Sequence, residues 1–207
     1  MRDFEKYLDK IKKIALEEGY DSLDETYVEH LRARYFGEDV VIGKSERILL
    51  REMKMSDLES FYKFEDAATE AVLQSFIKET KEESMAHLQA YIENMYPLYD
   101  HGIWAVVHQD TQEIVGMCGI GITTIDGAEY TDLGYYICPK WRKQGIVSEC
   151  IEIVLDYAKN YLEFDMIYAI IKEENRISRD ILRKFGFCHV KSSEKSGDFV
   201  LVYKRSF

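Results

Sequence analysis

The 207-residue sequence predicts a mixed α/β domain, in which helices cover both faces of one sheet, preceded by a short helical extension. The first 44 residues carry apolar side chains at helical spacing. From Arg47 onward, β-rich runs alternate with capped helical segments. A strand–helix–strand unit over residues 129–171 predicts a right-handed crossover between parallel strands, whereas the other neighbouring strands are joined as antiparallel pairs.

The extension is predicted to contain two short amphipathic helices. Phe4, Leu8 and Ile11 share one face of the first helix, and a capping box, Ser22-x-x-Glu25, precedes the second. We assign residues 1–44 to this extension and residues 45–207 to the main domain. The extension either packs locally through its apolar faces or takes part in substrate binding or dimerisation.

The main domain is predicted to contain about seven strands and four helices. The strands cover residues 48–53, 103–108, 113–122, 129–138 and 165–171, followed by two strands around residues 196–198. The helices cover residues 56–66, 81–96, 145–161 and 175–185, and capping boxes at Ser56 and Thr80 begin the first two.

The composition excludes several classes of function. A net charge of −11 argues against a general nucleic-acid binder, because such proteins hold phosphates with clustered lysine and arginine. No apolar run is long enough to span a membrane, and no apolar signal core follows the N-terminus, so a cytoplasmic protein is expected. The four cysteines and five histidines show no metal-ligand spacing, and no metal is expected.

The most informative segment joins the strand ending at Pro139 to the helix opened by Gly145. Lys140, Arg142 and Lys143 lie in this turn without an intervening acidic residue. The first N–H groups of a helix lack partners within the helix and favour an anion, and a glycine allows close approach. The turn is therefore either a phosphate site or an ordinary strand-to-helix connection with solvated basic residues.

A second basic segment follows the next parallel strand. It contains Asn175, Arg176, Ser178 and Arg179, with Asp180 as its only acidic residue before Lys184. The carboxyl ends of neighbouring parallel strands open on the same side of a sheet, where α/β proteins commonly bind ligands. The two segments are expected to border one crevice.

These two segments resemble the GNAT superfamily of acetyl-CoA-dependent N-acetyltransferases, and specifically the branch of ribosomal-protein N-terminal acetyltransferases. The first motif reads Arg142-Lys-Gln-Gly145-Ile-Val147, and the second reads Glu174-Asn175-x-x-Ser178-x-x-x-Leu182-x-Lys184-x-Gly186-Phe187. The resemblance covers Arg47 to the C-terminus and implies a GNAT-like twisted mixed sheet. Val147 replaces the family's final glycine or alanine, and Leu182 occupies a position where many members carry a tyrosine.

The resemblance implies roles for individual residues toward acetyl-CoA. Pantetheine would lie between the two parallel strands, with the Ile137 N–H as a donor to the oxyanion. The residues expected to bind the cofactor are Tyr136, Ile137, Cys138, Arg142, Lys143, Gln144, Gly145, Ile146, Val147, Asn175 and Ser178. The backbone from Lys143 to Val147, with the Arg142 side chain, would hold the pyrophosphate.

Acetyl transfer also needs a base for the amine and an acid for the thiolate. Asp132 lies where this branch often carries a glutamate, on the same strand face as Tyr136. Because an ordinary aspartate pKa of about 3.9 is too low to deprotonate an ammonium, Asp132 would act through water or with a raised pKa; its alternative is a solvated residue at a strand start. The acid would be Ser178, Tyr136 or water.

The resulting hypothesis is an N-acetyltransferase in which a primary amine, on a small molecule or a peptide, attacks acetyl-CoA directly. Residues 56–66 and 81–96 would wall the acceptor pocket, as the corresponding segments do in relatives, and the protein would be a monomer or a homodimer. The first alternative is a non-catalytic acyl-CoA-binding or regulatory domain on the same fold, which Val147 and Leu182 favour. The second is an interaction module that uses the N-terminal helices.

Overall fold

A computed structural model describes residues 2–17, 22–64, 75–195 and 197–207. The chain divides into two compact units, residues 1–41 and residues 42–207. No helix in these described ranges is both long and apolar enough to cross a membrane.

The first unit contains two helices, as predicted: α1 (Arg2–Glu17) and α2 (Glu25–Phe36). Phe4, Leu8 and Leu31 form its small buried core. The capping box predicted at Ser22 is wrong, because Asp24 caps α2. Its carboxylate accepts the backbone N–H of Thr26 at 2.8 Å, and a charged acceptor at this position satisfies amides that the helix leaves unpaired.

The second unit is built on a mixed sheet with helices on both faces, which confirms the predicted fold class. Its strands are β1 (Val41–Lys44), β2 (Ile48–Arg51), β3 (Ile103–His108), β4 (Ile114–Ile125), β5 (Ala128–Ile137), β6 (Met166–Lys172), β7 (Cys188–Lys195) and β8 (Asp198–Ser206). The spatial order is β1-β2-β3-β4-β5-β6-β8-β7, and β5 and β6 pair in parallel. Strand β1 was not predicted, and its four residues fall within the segment assigned to the helical extension.

Four helices accompany this sheet in the described residues: α3 (Leu58–Phe61), α4 (Lys81–Tyr99), α5 (Ile146–Asn160) and α6 (Arg176–Lys184). The capping box at Thr80 is confirmed, since the Thr80 hydroxyl accepts the Glu83 N–H and the Glu83 carboxylate accepts the Thr80 N–H, both at 3.1 Å. The box at Ser56 is wrong.

A short 3₁₀ turn (Met55–Asp57) precedes α3 instead of the predicted capping box. The Asp57 carboxylate accepts the Lys54 N–H at 2.8 Å and also pairs with Arg51, so it organises the start of this segment in place of Ser56. The described helix ends at Phe61, and residues 65–66 of the predicted helix lie outside the described residues.

Two apolar clusters sandwich the sheet. One contains Trp104, Leu133 and Ile137 from the strands with the buried side of α5, and the other contains Tyr136 and Met117 with side chains of α3 and α4. Alternate residues of β5 therefore contribute to opposite layers of the core, as expected for a central strand with both faces covered.

Candidate functional site

The two parallel strands separate soon after they meet. β5 and β6 pair at Asp132 and Tyr168, whereas β5 pairs with β4 over its whole length, from Ala128 opposite Ile125 to Ile137 opposite Gly116. Beyond Asp132, the residues of β5 thus pair with β4 on one side and have no ladder partner in β6 on the other, so the two parallel strands part there. We call this opening the β5–β6 cleft; residues 133–138 form its β5 edge.

The backbone of β5 presents hydrogen-bonding groups to the cleft. The Cys138 N–H donates to the Val115 carbonyl on β4 at 2.9 Å. Because successive residues of a strand direct their N–H and C=O groups to opposite sides, those of Tyr135 and Ile137 point away from β4, toward the cleft. A ligand lying in the cleft can therefore pair with β5 as a missing strand would.

The cleft leads to the turn that precedes α5, residues 139–147, here called the basic turn. Lys143 and Gly145 adopt left-handed backbone conformations, with φ of 59° and 84°. Gly145 is the N-cap residue of α5, and no side chain caps the helix. The Ser148 N–H bonds to the Gly145 carbonyl at 2.9 Å, which leaves the N–H groups of Ile146 and Val147, ahead of that first bond, available to an anion.

The Arg142 side chain lies across the end of β5. Its Nε donates to the Ile137 carbonyl at 2.8 Å, and its guanidinium carbon is 5.5 Å from the centre of the Tyr136 ring. Lys140 pairs with Glu113 at 3.0 Å, while Lys143 is exposed. Two of the three basic side chains expected around the anion are thus engaged by neighbouring groups. The backbone N–H groups are therefore the main donors that the turn offers to an anion.

Arg47 and Glu149 were missed by the sequence analysis. Their side chains pair at the first turn of α5, and Arg47 also donates to the Gln144 carbonyl at 2.9 Å. One signal was available: Glu149 is an acidic residue in the first turn of a helix expected to bind phosphate, and its charge would repel that phosphate unless a cation lay nearby.

Asp132 occupies a confined position on β5. Its Oδ1 is buried and has no hydrogen-bond partner among the described residues. Burial raises the pKa of Asp132 to about 6, although the Thr123 side chain and the charge of Lys195 oppose the rise. Gly121 faces it on β4, and a Cβ built there would come within 3.7 Å of Oδ1. This carboxyl is thus poised to exchange a proton near neutral pH.

Ser178 and Tyr136 lie in opposite layers of the core. Ser178 is buried beside Tyr135, and burial raises the pKa of the Tyr135 hydroxyl to about 12. Tyr136 points to the other face, with its ring 5.3 Å from that of Phe64. The structure therefore groups Ser178 with Tyr135, and Tyr136 with the face that carries Asp132.

Asn175 and Leu182 have structural roles in α6. The Asn175 carboxamide oxygen accepts the Ser178 N–H at 3.0 Å and caps the helix. Leu182 is completely buried in the apolar core, where no hydroxyl is available to a ligand. No group of histidine, cysteine or acidic residues able to hold a metal occurs within the described ranges.

A cavity of about 510 Å³ lies beside the basic turn. It is lined by Arg51, Ser56, Asp57, Ser60, Lys63, Phe64, Gln112, Glu113, Ile114, Cys138, Pro139 and Lys140. The segment around α3 contributes to this lining, and no residue of α4 is part of it. Asp132 and Cys138 are six positions apart, about 20 Å along an extended chain, so this cavity and the Asp132 carboxyl are distinct places.

Comparison with known proteins identifies one family. Residues 47–188 match the family model described as an acetyltransferase (GNAT) domain. YkkB of Bacillus subtilis (strain 168) is 27% identical over 107 residues, which cover 52% of this chain and 62% of YkkB. The uncharacterised N-acetyltransferase YoaA of the same strain is 28% identical over 149 residues, 70% of this chain and 82% of YoaA. The match to YkkB thus spans less than two thirds of that protein.

Solved structures share the fold. A structure from Bordetella pertussis described as a GnaT-family acetyltransferase superposes with a TM-score of 0.69 at 17% identity, covering 80% of this chain and 99% of that one. RimL, a ribosomal L7/L12 alpha-N-protein acetyltransferase solved in complex with coenzyme A, gives a TM-score of 0.64 at 20% identity. The superposition covers 80% of this chain and 97% of RimL.

Proposed function

The chain belongs to the GNAT acetyltransferase family, and on this premise we propose that it transfers an acetyl group from acetyl-CoA to a primary amine by direct attack within a ternary complex. The observation that carries the proposal is the separation of β5 from β6 beyond Asp132, which opens a cleft leading from the uncapped start of α5. Such a cleft can take an extended thioester at one end and its diphosphate at the other.

The basic turn would bind the diphosphate. Backbone N–H groups from Lys143 to Val147 surround the start of α5, and the positive φ of Gly145 keeps a side chain out of their way. The Val147 side chain is partly buried against the apolar core, and its N–H, which precedes the first backbone bond of α5, would be available to the ligand. Arg142 would add its charge by turning from the Ile137 carbonyl, or would hold the end of β5 in place.

The β5 edge of the cleft would bind pantetheine and the acetyl group. The Ile137 N–H, which faces the cleft, would donate to the thioester oxygen as negative charge develops there. Tyr136 and Cys138 would flank this position, and Asn175 and Ser178 would border the opposite side near the sulfur. These assignments combine the strand geometry with the roles that the family motif implies.

Asp132 would act as the general base. With a pKa of about 6 it is mostly ionised at pH 7, yet it accepts a proton more readily than an exposed aspartate. Because Asp132 lies five positions before Ile137, about 17 Å along the strand, it would deprotonate the amine through a chain of water molecules. The Ser178 hydroxyl, Tyr136 or water would return a proton to the thiolate of coenzyme A, so that one proton leaves the amine and one reaches the sulfur.

The acceptor is proposed to be a cationic primary amine on a small molecule or a peptide. RimL is described as acting on a ribosomal protein, which supports the peptide alternative. The net charge of −11 would draw a cationic acceptor toward this protein from solution.

Thiol release from acetyl-CoA in the presence of small and peptide amines tests the proposal, together with calorimetric titration of coenzyme A. Amine-dependent thiol release is expected. Binding without turnover on every amine would instead support a non-catalytic acyl-CoA-binding domain, the alternative that the buried Leu182 favours. Absence of coenzyme A binding would refute both.

A further inference from the structure

The turn between β1 and β2 reaches the start of α5, which is about one hundred residues away in sequence. Arg47 Nε donates to Glu149 Oε1 at 2.8 Å, and Arg47 Nη2 contacts the same oxygen. The Ser45 hydroxyl donates to Glu149 Oε2 at 2.5 Å. Both carboxylate oxygens of Glu149 are therefore held by one short turn.

The turn itself is held in one conformation. The Ser45 hydroxyl oxygen accepts the backbone N–H groups of Arg47 and Ile48 at 3.3 and 3.2 Å. Gln109, from the connection between β3 and β4, donates its N–H to the Arg47 carbonyl at 2.8 Å and its carboxamide to the Ser45 carbonyl at 2.5 Å. Arg47 is consequently placed before any ligand binds.

Arg47 also sets the orientation of the peptide that opens the basic turn. Its Nη2 binds the Gln144 carbonyl at 2.9 Å. In a trans peptide the C=O and the following N–H point in opposite directions, so this bond directs the Gly145 N–H away from Arg47. The guanidinium lies so close that a Cβ at Gly145 would be 3.4 Å from it.

The charge of Arg47 has a second consequence. Glu149 is an acidic side chain in the first turn of α5, where its negative charge opposes that of a diphosphate. Burial would raise the pKa of Glu149, but the hydrogen bonds from Ser45 and Arg47 outweigh it and lower the pKa, so the carboxylate stays ionised. The Arg47 guanidinium beside it offsets this charge at the binding site.

We propose that Arg47 is a positioning residue for coenzyme A, which aims the Gly145 amide and neutralises Glu149 without itself needing to touch the ligand. This inference rests on the proposed function. It assigns to the β1–β2 turn a role in donor affinity, separate from the proton transfers assigned to Asp132 and Ser178.

The test compares Arg47→Ala with the unmodified protein. The dissociation constant of coenzyme A and the KM for acetyl-CoA are expected to rise about tenfold to a hundredfold, as for loss of a charged hydrogen bond. The kcat at saturating acetyl-CoA should stay within about twofold, because the lost interaction serves binding rather than the transition state. With S-acetyl-N-acetylcysteamine, a thioester donor without a diphosphate, kcat/KM should also stay within about twofold.

Arg32→Ala is the matched control, since Arg32 likewise pairs with a glutamate, Glu38, at 3.2 Å. It should change none of these constants. Arg47→Lys keeps the charge with fewer donors, and serves if Arg47→Ala fails to fold; its loss of affinity should be smaller than that of the alanine variant and still measurable.

An unchanged dissociation constant in both Arg47 variants would overturn the inference. So would an equal loss of activity with the truncated donor, since that loss would report general damage to the fold. If the unmodified protein does not bind coenzyme A, the proposed function fails instead, which keeps the two failures distinguishable.

Discussion

Replacing Asp132 by asparagine should stabilise the protein while removing most of its activity. Burial raises the pKa of the Asp132 carboxyl from its ordinary value of 3.8 to about 6. This shift makes ionisation of the carboxyl less favourable in the folded state than in the unfolded state, by about 3 kcal/mol. The folded pKa is above the unfolded one, so the folded state is at its most stable below pH 3.8 with respect to this group, and stability falls as the pH rises through 6. Asparagine has a similar shape and carries no charge, and therefore escapes this penalty.

The magnitude follows from the same shift. At pH 8, Asp132→Asn should gain up to about 3 kcal/mol in the free energy of unfolding, and the gain should shrink toward zero near pH 4. The kcat should fall by about a hundredfold to ten-thousandfold at pH 7, the usual contribution of a general base. In the unmodified enzyme, kcat/KM should decline as the pH falls through about 6, where Asp132 takes up a proton.

Urea denaturation at several pH values and steady-state thiol release measure the two effects. Asp110→Asn is the control, because Asp110 is exposed in the turn between β3 and β4, and this variant should alter neither quantity. A stability gain that is the same at pH 4 and pH 8, or an Asp132→Asn variant that retains full kcat, would refute the reasoning.

Three further substitutions test the basic turn and the buried pair formed by Arg51 and Asp57. Gly145→Ala places a side chain at φ 84° and should cost about 1–2 kcal/mol in urea denaturation while weakening coenzyme A binding; wild-type affinity would contradict the role given to this turn. Val147→Ala introduces the small residue that the family motif carries at this position. It should tighten coenzyme A binding a few-fold in calorimetry, a change in binding free energy of less than about 1 kcal/mol. Weaker binding would show that the valine is adapted to its site. Arg51→Ala leaves the buried Asp57 without the partner it holds at 2.7 Å and should cost about 3–5 kcal/mol of stability; a loss under 1 kcal/mol would mean that water replaces the pair.

The order of strands and helices could be predicted because it is recorded in short stretches of sequence. The apolar stripe of α5, the Thr80 box and the turn at Pro139 each act over a few residues. The predictions that were wrong, at Ser22 and Ser56, involved a choice between neighbouring polar side chains. Asp24 caps α2, and Asp57 binds the Lys54 N–H ahead of the 3₁₀ turn while it pairs with the buried Arg51.

The candidate site was predicted only in outline. The motif placed an anion site before α5, but the direction of the Arg142 side chain depends on the Ile137 carbonyl, which the separation of β5 from β6 leaves free. Likewise, Asn175 fits the motif as a cofactor contact, and the structure shows its carboxamide engaged in capping α6.

The sequence by itself determined the α/β architecture, the parallel β5–β6 unit and the glycine that opens α5, because periodicity, caps and turns act between residues close in the chain. Only the tertiary structure decided that Asp132 has a raised pKa and that Arg47 holds Glu149. Both facts depend on burial and on contacts between residues from different strands and helices, such as Gly121 facing Asp132 and Arg47 reaching α5. Such energies arise only when distant parts of the chain exclude water together.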